Sequence, residues 1–180
     1  PDRETVRKTV GFMLEDSYSM LTGDRDPARQ AEFRALFTEV ARDLQIKDTV
    51  LLPGGEELLR GLKEHGVKTA IVSTKRGDTI QLILERLGLA DTVELVVGSG
   101  DVKRPKPDPE GLLFVLDRLG VRPGDALFCG DTILDAGAAQ NAGTRFAAVL
   151  GGTTPVEAFD RFSPDHISPD LWDLIRWLEL

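Results

Sequence analysis

The chain has 180 residues, 41% of them apolar, which is enough to bury a sizeable core and favours one domain, or one domain with a small appendage. Its 22 basic residues against 30 acidic ones give a net charge of −8 with no clustered Lys and Arg, which excludes a nucleic-acid or membrane-surface binder resting on a basic footprint. One cysteine, Cys129, excludes an internal disulfide and a cysteine-based zinc site, and in its apolar run it reads as a small core residue. No stretch approaches ~18 apolar residues and Pro1-Asp2-Arg3-Glu4 is polar, so no membrane span, no signal peptide and a reduced, cytoplasmic setting are expected. A first residue that is Pro rather than Met suggests that something upstream has been removed.

From Glu4 to about Asp48 the pattern is helical, with Val6, Val10, Met13 and Leu14, then Phe33, Leu36, Phe37, Val40, Ala41 and Leu44 at spacings of three and four. Gly23-Asp24-Arg25-Asp26-Pro27 divides it, Asp26 standing as N-cap and Pro27 as first helical residue, so a helical hairpin is expected. After Leu51-Leu52-Pro53-Gly54-Gly55 short apolar runs alternate with helical segments. The spacing predicts helices at 56–65, 78–88, 109–119, 134–142 and 170–179, and strands at 68–73, 93–97, 125–129 and 145–150. Strands alternating with helices imply βαβ units and a parallel sheet, with the boundary between the two parts near residue 50. Leu171, Trp172, Leu174, Ile175, Trp177 and Leu178 read as the apolar face of a docked C-terminal helix.

Three predicted strand ends carry chemistry, at the rim where α/β proteins keep their ligands. Asp131 and Asp135, after Cys129-Gly130, are two carboxylates in one turn, which would repel each other unless a hard cation such as Mg²⁺ took oxygen ligands from both. The alternative is that Asp131 caps the helix and Asp135 is a solvated first-turn acid. Ser73 and Thr74 precede Lys75-Arg76-Gly77-Asp78, so hydroxyls and free backbone N–H groups could converge on an anion, phosphate above all; the alternative is an ordinary N-cap by Asp78 or Thr74. Lys106 sits between two prolines, a cation fixed in direction, or else an exposed lysine before a helix capped by Asp108. His65 reads as a partner of a helix C-terminus and His166 as a lone histidine. No P-loop, no Gly-x-Gly-x-x-Gly and no Gly-x-Ser-x-Gly elbow occurs.

Ser73, Lys106 and Gly130-Asp131-Thr132-x-x-Asp135, in this order and on three successive strand ends, resemble motifs two, three and four of the haloacid dehalogenase superfamily of phosphotransferases. The run from Gly130 through Asp135-Ala136-Gly137-Ala138-Ala139-Gln140-Asn141-Ala142 to Gly143 is similar to its phosphoglycolate phosphatase-like branch. Leu52-Pro53-Gly54-Gly55-x-x-Leu58-Leu59-x-x-Leu62 resembles that branch's return from an α-helical cap into the core. The resemblance implies an α/β fold, a Rossmann-like parallel sheet flanked by helices, with a truncated helical cap at 1–49 and a core at 50–180. It implies that Ser73, with Thr74 beside it, binds the phosphoryl group, that Lys106 holds nucleophile and phosphate together, and that Asp131 and Asp135 anchor Mg²⁺.

The family's first motif, Asp-x-Asp-x-Thr on the first strand, is not in these 180 residues, and Asp24-Arg25-Asp26 has neither a strand before it nor a threonine after it. By the resemblance that strand lies mid-sheet, so its two neighbours lack ladder partners, at about 1–3 kcal/mol for each buried unpaired backbone group. An N-terminal piece, a sheet closed up in altered order, or a second copy pairing or swapping strands would each answer this. The resemblance implies a Mg²⁺-dependent phosphatase of small phosphorylated metabolites, phosphoglycolate-like, acting through a phospho-aspartate, with the 180 residues by themselves inactive. A non-catalytic phosphate- or metal-binding or scaffolding homologue, and a phosphomutase or pyrophosphatase on the same scaffold, are the alternatives.

Overall fold

The computed structural model describes residues 1–180 and divides into two compact units, Pro1–Thr49 and Val50–Leu180. No helix is long and apolar enough to cross a membrane.

The first unit is helical. α1 (Arg3–Arg7) is capped by Asp2, whose Oδ1 accepts the Thr5 amide at 2.9 Å. A single helix through Met13 is not formed: the chain turns at Gly11, whose φ of 97° an L side chain would resist, before α2 (Leu14–Thr22) begins. α3 (Pro27–Asp48) starts with Asp26 as N-cap, its Oδ1 accepting the Ala28 amide, and Pro27 as first helical residue. The α2–α3 hairpin is held by Tyr18 against Phe33, ring centroids 5.5 Å apart, and by Gln30 Nε2 donating to Ser19 Oγ at 2.7 Å. No residue of α3 is buried, and Leu36, Val40 and Leu44 form an exposed apolar row at i, i+4, i+8.

The second unit is α/β. Its elements are α4 (Gly55–Glu64), β1 (Ala70–Arg76), α5 (Gly77–Leu87), β2 (Leu95–Ser99), α6 (Glu110–Leu119), β3 (Leu127–Gly130), α7 (Ile133–Ala142), β4 (Arg145–Val149), β5 (His166–Ser168) and α8 (Leu171–Leu178). Every strand pairing is parallel, as βαβ connection demands. β5, three residues long, has too little pattern to be legible in sequence.

Side chains of alternating strand positions pack against helices on both faces. On one face α6 and α7 cover the strands: Leu112, Ala138 and Ala142 receive Val72 of β1 and Phe128 of β3, while Ala136 and Ala139 pack with Phe146, Ala148 and Phe159. The alanines of α7, exposed by at most 1% at 136, 138 and 139, let this helix lie close to the sheet. On the other face α4 and α5 bury Ile71 and Val96 with Ile80, Leu84 and Leu89, and α4 and α8 bury Leu127, Ala147 and Val149 with Leu174.

The strands nonetheless form two sheets, β1-β2 and β3-β4-β5. The sheet does not close up: β1 and β3 make no ladder with each other, and each has a strand partner on one side only. A common layer keeps them side by side, since Val72 and Phe128 share the hydrophobic cluster under α6 and α7.

One consequence corrects the reading of Cys129. Within these 180 residues it is exposed, on a strand laddered to β4 alone, where a core position was expected. The protein packed around the sulfur still pushes the thiol pKa up to about 11. Trp172 is likewise 42% exposed, whereas Trp177 is packed, stacked on His166 with centroids 4.7 Å apart.

Candidate active site

β1 delivers Ser73 and Thr74 at its C-terminal end, where the ladder with β2 breaks register between Val72 and Arg76. Ser73 Oγ accepts the Lys75 amide at 3.1 Å, a local turn that fixes the hydroxyl. Neither Asp78 nor Thr74 caps α5; its N-cap is Arg76, with no side-chain bond to the first turn.

Lys106 lies in the Lys103–Pro109 segment between β2 and α6, joined to Pro107 by a cis peptide bond. Its ammonium group donates to the carbonyl oxygen of Val72 at 3.1 Å and to Asp135 Oδ1 at 2.6 Å, and stands 5.6 Å from the Phe128 ring centroid. It is therefore not an exposed lysine of a turn; its side chain is 14% exposed. Asp108 does serve α6, its Oδ1 accepting the Glu110 amide at 3.0 Å.

β3 ends in Gly130, and α7 begins with a capping box: Thr132 Oγ1 accepts the Asp135 amide, and Asp135 Oδ2 accepts the Thr132 amide at 3.1 Å. Asp135 is thus a buried acid, 5% exposed, and neither a solvated first-turn residue nor a partner of a helix capped by Asp131. Gly130 is required by this arrangement, since a Cβ on it would lie 2.5 Å from Asp135 Cγ. Asp131 is exposed at the rim, yet the protein around its carboxyl group, and after that the charge of Asp135, raise its pKa. A side chain at Gly152, in the loop after β4, would collide with the Asp131 carboxylate.

The structure therefore brings Ser73, Lys106 and Asp135 into one chain of contacts, through the Val72 carbonyl next to Ser73, and places Asp131 within electrostatic reach of Asp135. Thr74 follows on the same strand end but has no hydrogen bond to Lys106 or to either aspartate. Sequence reasoning gave Thr132, Phe128 and Gly152 no role of their own. Thr132 had a signal, the Thr-x-x-acid spacing of a capping box; the other two approach the site only through tertiary packing.

The donor set suits a hard cation. Asp131 forms no ion pair and feels Lys106 only through space, Lys106 neutralises only one oxygen of Asp135, and two carboxylates are what Mg²⁺ takes from a protein when water and substrate phosphate complete its shell. No third His, Cys, Asp or Glu joins the pair. An ammonium, a hydroxyl and two acids at adjoining ends of parallel strands are equipped to hold a phosphoryl group.

A family model for haloacid dehalogenase-like hydrolases matches residues 1–149. The chain belongs to the haloacid dehalogenase-like hydrolase family. It is 32% identical to the pyrophosphatase PpaX of Bacillus velezensis over 97% of this chain and 79% of that protein. It is also 32% identical to the phosphoglycolate phosphatase of Escherichia coli O157:H7 over 99% of this chain and 69% of that one. A solved haloacid dehalogenase-like hydrolase of Bacteroides fragilis superposes with a TM-score of 0.94 at 35% identity, covering 97% of this chain and 83% of that chain. The hydrolase is thus an enzyme by lineage, with the parallel, helix-flanked α/β architecture of its relatives.

Proposed function

We propose that the protein is the greater part of a Mg²⁺-dependent phosphatase of small phosphorylated metabolites, phosphoglycolate-like, working through a phospho-aspartate. The observation that carries this reading is the Lys106 ammonium, which joins the Val72 carbonyl beside Ser73 to Asp135 across the adjoining ends of β1 and β3. In that position Lys106 neutralises the charge that a phosphoryl group and an attacking carboxylate would bring together, and Ser73 offers a hydroxyl to a phosphoryl oxygen. Asp131 and Asp135 would hold Mg²⁺, which supplies charge neutralisation on the phosphoryl oxygens when bound. Phe128 beneath Lys106 lowers the local dielectric, which strengthens each of these interactions.

The attacking carboxylate is not among these residues: Asp-x-Asp-x-Thr occurs nowhere in the 180. We place it on a strand laddered between β1 and β3, the two strands that face each other with one partner each. The relatives named for phosphoglycolate and for pyrophosphatase activity support a small phosphorylated substrate.

The test is phosphate release from 2-phosphoglycolate and from pyrophosphate, with Mg²⁺, by the 180-residue chain alone and with an added Asp-x-Asp-x-Thr strand peptide from a relative. Turnover only with the peptide, lost again in Lys106→Ala, is the expected result. Calorimetric binding of inorganic phosphate with no turnover under either condition would favour a non-catalytic homologue.

A further inference from the structure

The loop that carries Lys106 is poor in backbone donors. Pro105, Pro107 and Pro109 remove three of the seven N–H groups between Lys103 and Pro109, and the segment forms neither helix nor strand. A turn closes within it, the Asp108 amide donating to the Pro105 carbonyl oxygen at 3.0 Å, and its two arms are held from outside. On the entering arm Glu110, the first residue of α6, accepts the Lys103 amide on Oε1 at 2.8 Å and the Arg104 amide on Oε2 at 3.2 Å. This clamp ties the loop only to the helix it leads into. The leaving arm is tied to α7, the helix that carries Asp135. Pro107 packs on Gly137, where a Cβ would lie 2.8 Å from Pro107 Cβ, and one turn further on Asn141 Nδ2 donates to the Pro107 carbonyl oxygen at 2.9 Å.

Lys106 and Asp135 belong to different elements, so their register depends on how the loop lies along α7. Gly137 admits the proline ring, and the Asn141 amide fixes the peptide group that follows. Asparagine is a weaker helix former than the alanines around it, so helix stability does not account for Asn141 in the last turn of α7. The Lys106 stem is long and flexible, and an ammonium group held in one place beforehand meets a phosphoryl oxygen with less ordering to do on binding.

We propose that Asn141 is a positioning residue of the phosphoryl site: by holding the Pro107 carbonyl against α7 it keeps the Lys106 ammonium on the Val72 carbonyl and on Asp135. The inference rests on the phosphatase reading and deepens it. Asn141 acts through Lys106 and touches no reacting group.

The experiment compares the 180-residue chain with Asn141→Leu, which keeps the shape of the side chain and removes the donor, and with Asn141→Gln, which keeps the donor. Asn141 is exposed, so both variants should fold, and thermal melting checks this. One readout is trace acetylation by acetic anhydride, followed by peptide mass spectrometry as the ratio of Lys106 to the exposed Lys8. The other is isothermal titration with inorganic phosphate in Mg²⁺. Asn141→Leu should raise the labelling ratio and weaken phosphate binding, each by about fivefold, the worth of one hydrogen bond. Asn141→Gln should stay within about twofold of wild type in both. A merely structural role would lower the melting temperature and leave both readouts at the wild-type value. An unchanged labelling ratio in Asn141→Leu overturns the inference, and so does a raised ratio with phosphate affinity unchanged, or a failure of Asn141→Gln to restore both. With a wild type that binds phosphate, each of these results leaves the phosphatase reading standing. A wild type that binds no phosphate overturns that reading and the inference with it.

Discussion

Lys106 Nζ lies 2.6 Å from Asp135 Oδ1, in a pair whose side chains are 14% and 7% exposed. Residues 29 apart in sequence meet because the loop before α6 and the first turn of α7 lie over the same strand ends, with Pro107 packed where a Cβ on Gly137 would stand. The pair is a structural element as well as a candidate piece of chemistry.

Removing one partner leaves a buried charge uncompensated. Lys106→Ala is expected to lower the unfolding free energy by about 3 kcal/mol, and Asp135→Ala by about as much. The double variant should cost less than the sum, because the second truncation removes the charge that the first one orphaned. Urea unfolding of the three variants, followed by far-ultraviolet circular dichroism, checks this; strict additivity would show that the two side chains do not interact.

Gly130→Ala places a methyl group against Asp135 and should destabilise by about 2 kcal/mol through overpacking. Since Asp135 must move to make room, Mg²⁺ should lose its stabilising effect on the melting temperature in this variant, while the wild type melts higher with Mg²⁺ than without. Scanning calorimetry with and without Mg²⁺ reads both effects. An unchanged Mg²⁺ response would separate Asp135 from metal binding.

Acid should loosen the β5–α8 corner. The hydrogen bond from His166 holds the Asp173 carboxyl below the usual range, and those from Arg145 and the Phe146 amide do the same for Asp165. Both folded pKa values lie below the unfolded value of 3.8, so the unfolded state binds more protons in that window. This stabilisation is present above 3.8 and is lost as pH falls through the folded values. Asp173→Asn should be less stable than wild type at pH 7, and the gap should narrow by pH 3. Urea midpoints across this range, with a gap constant in pH, would refute the assignment.

The Cys129 thiol, exposed but with its pKa pushed up to about 11, should be slow toward thiol reagents. At pH 8 its reaction with a disulfide reagent is expected to run roughly a hundredfold slower than that of free cysteine, accelerating toward pH 10 and above. A rate at pH 8 comparable with free cysteine would mean that the sulfur is solvated like an ordinary surface thiol.

The alternation of apolar runs with helical segments, and the strands after which Ser73, Lys106, Asp131 and Asp135 fall or at whose ends they stand, were legible along the chain, because both signals are local. A period of two or of 3.6 and a turn residue after an apolar run depend only on neighbours in sequence. The same locality made Asp26-Pro27 readable as the start of α3. What tertiary structure alone decided was which faces and edges meet. Cys129 lies in an apolar run and is exposed in these 180 residues, because β3 is laddered on one side only. Asp135 resembles a surface acid in sequence and is buried, because the Thr132 cap, the bare Gly130 and the Lys106 ammonium close around it. Burial and ion pairing are sums over neighbours distant in sequence, and those sums exist only once the chain has folded.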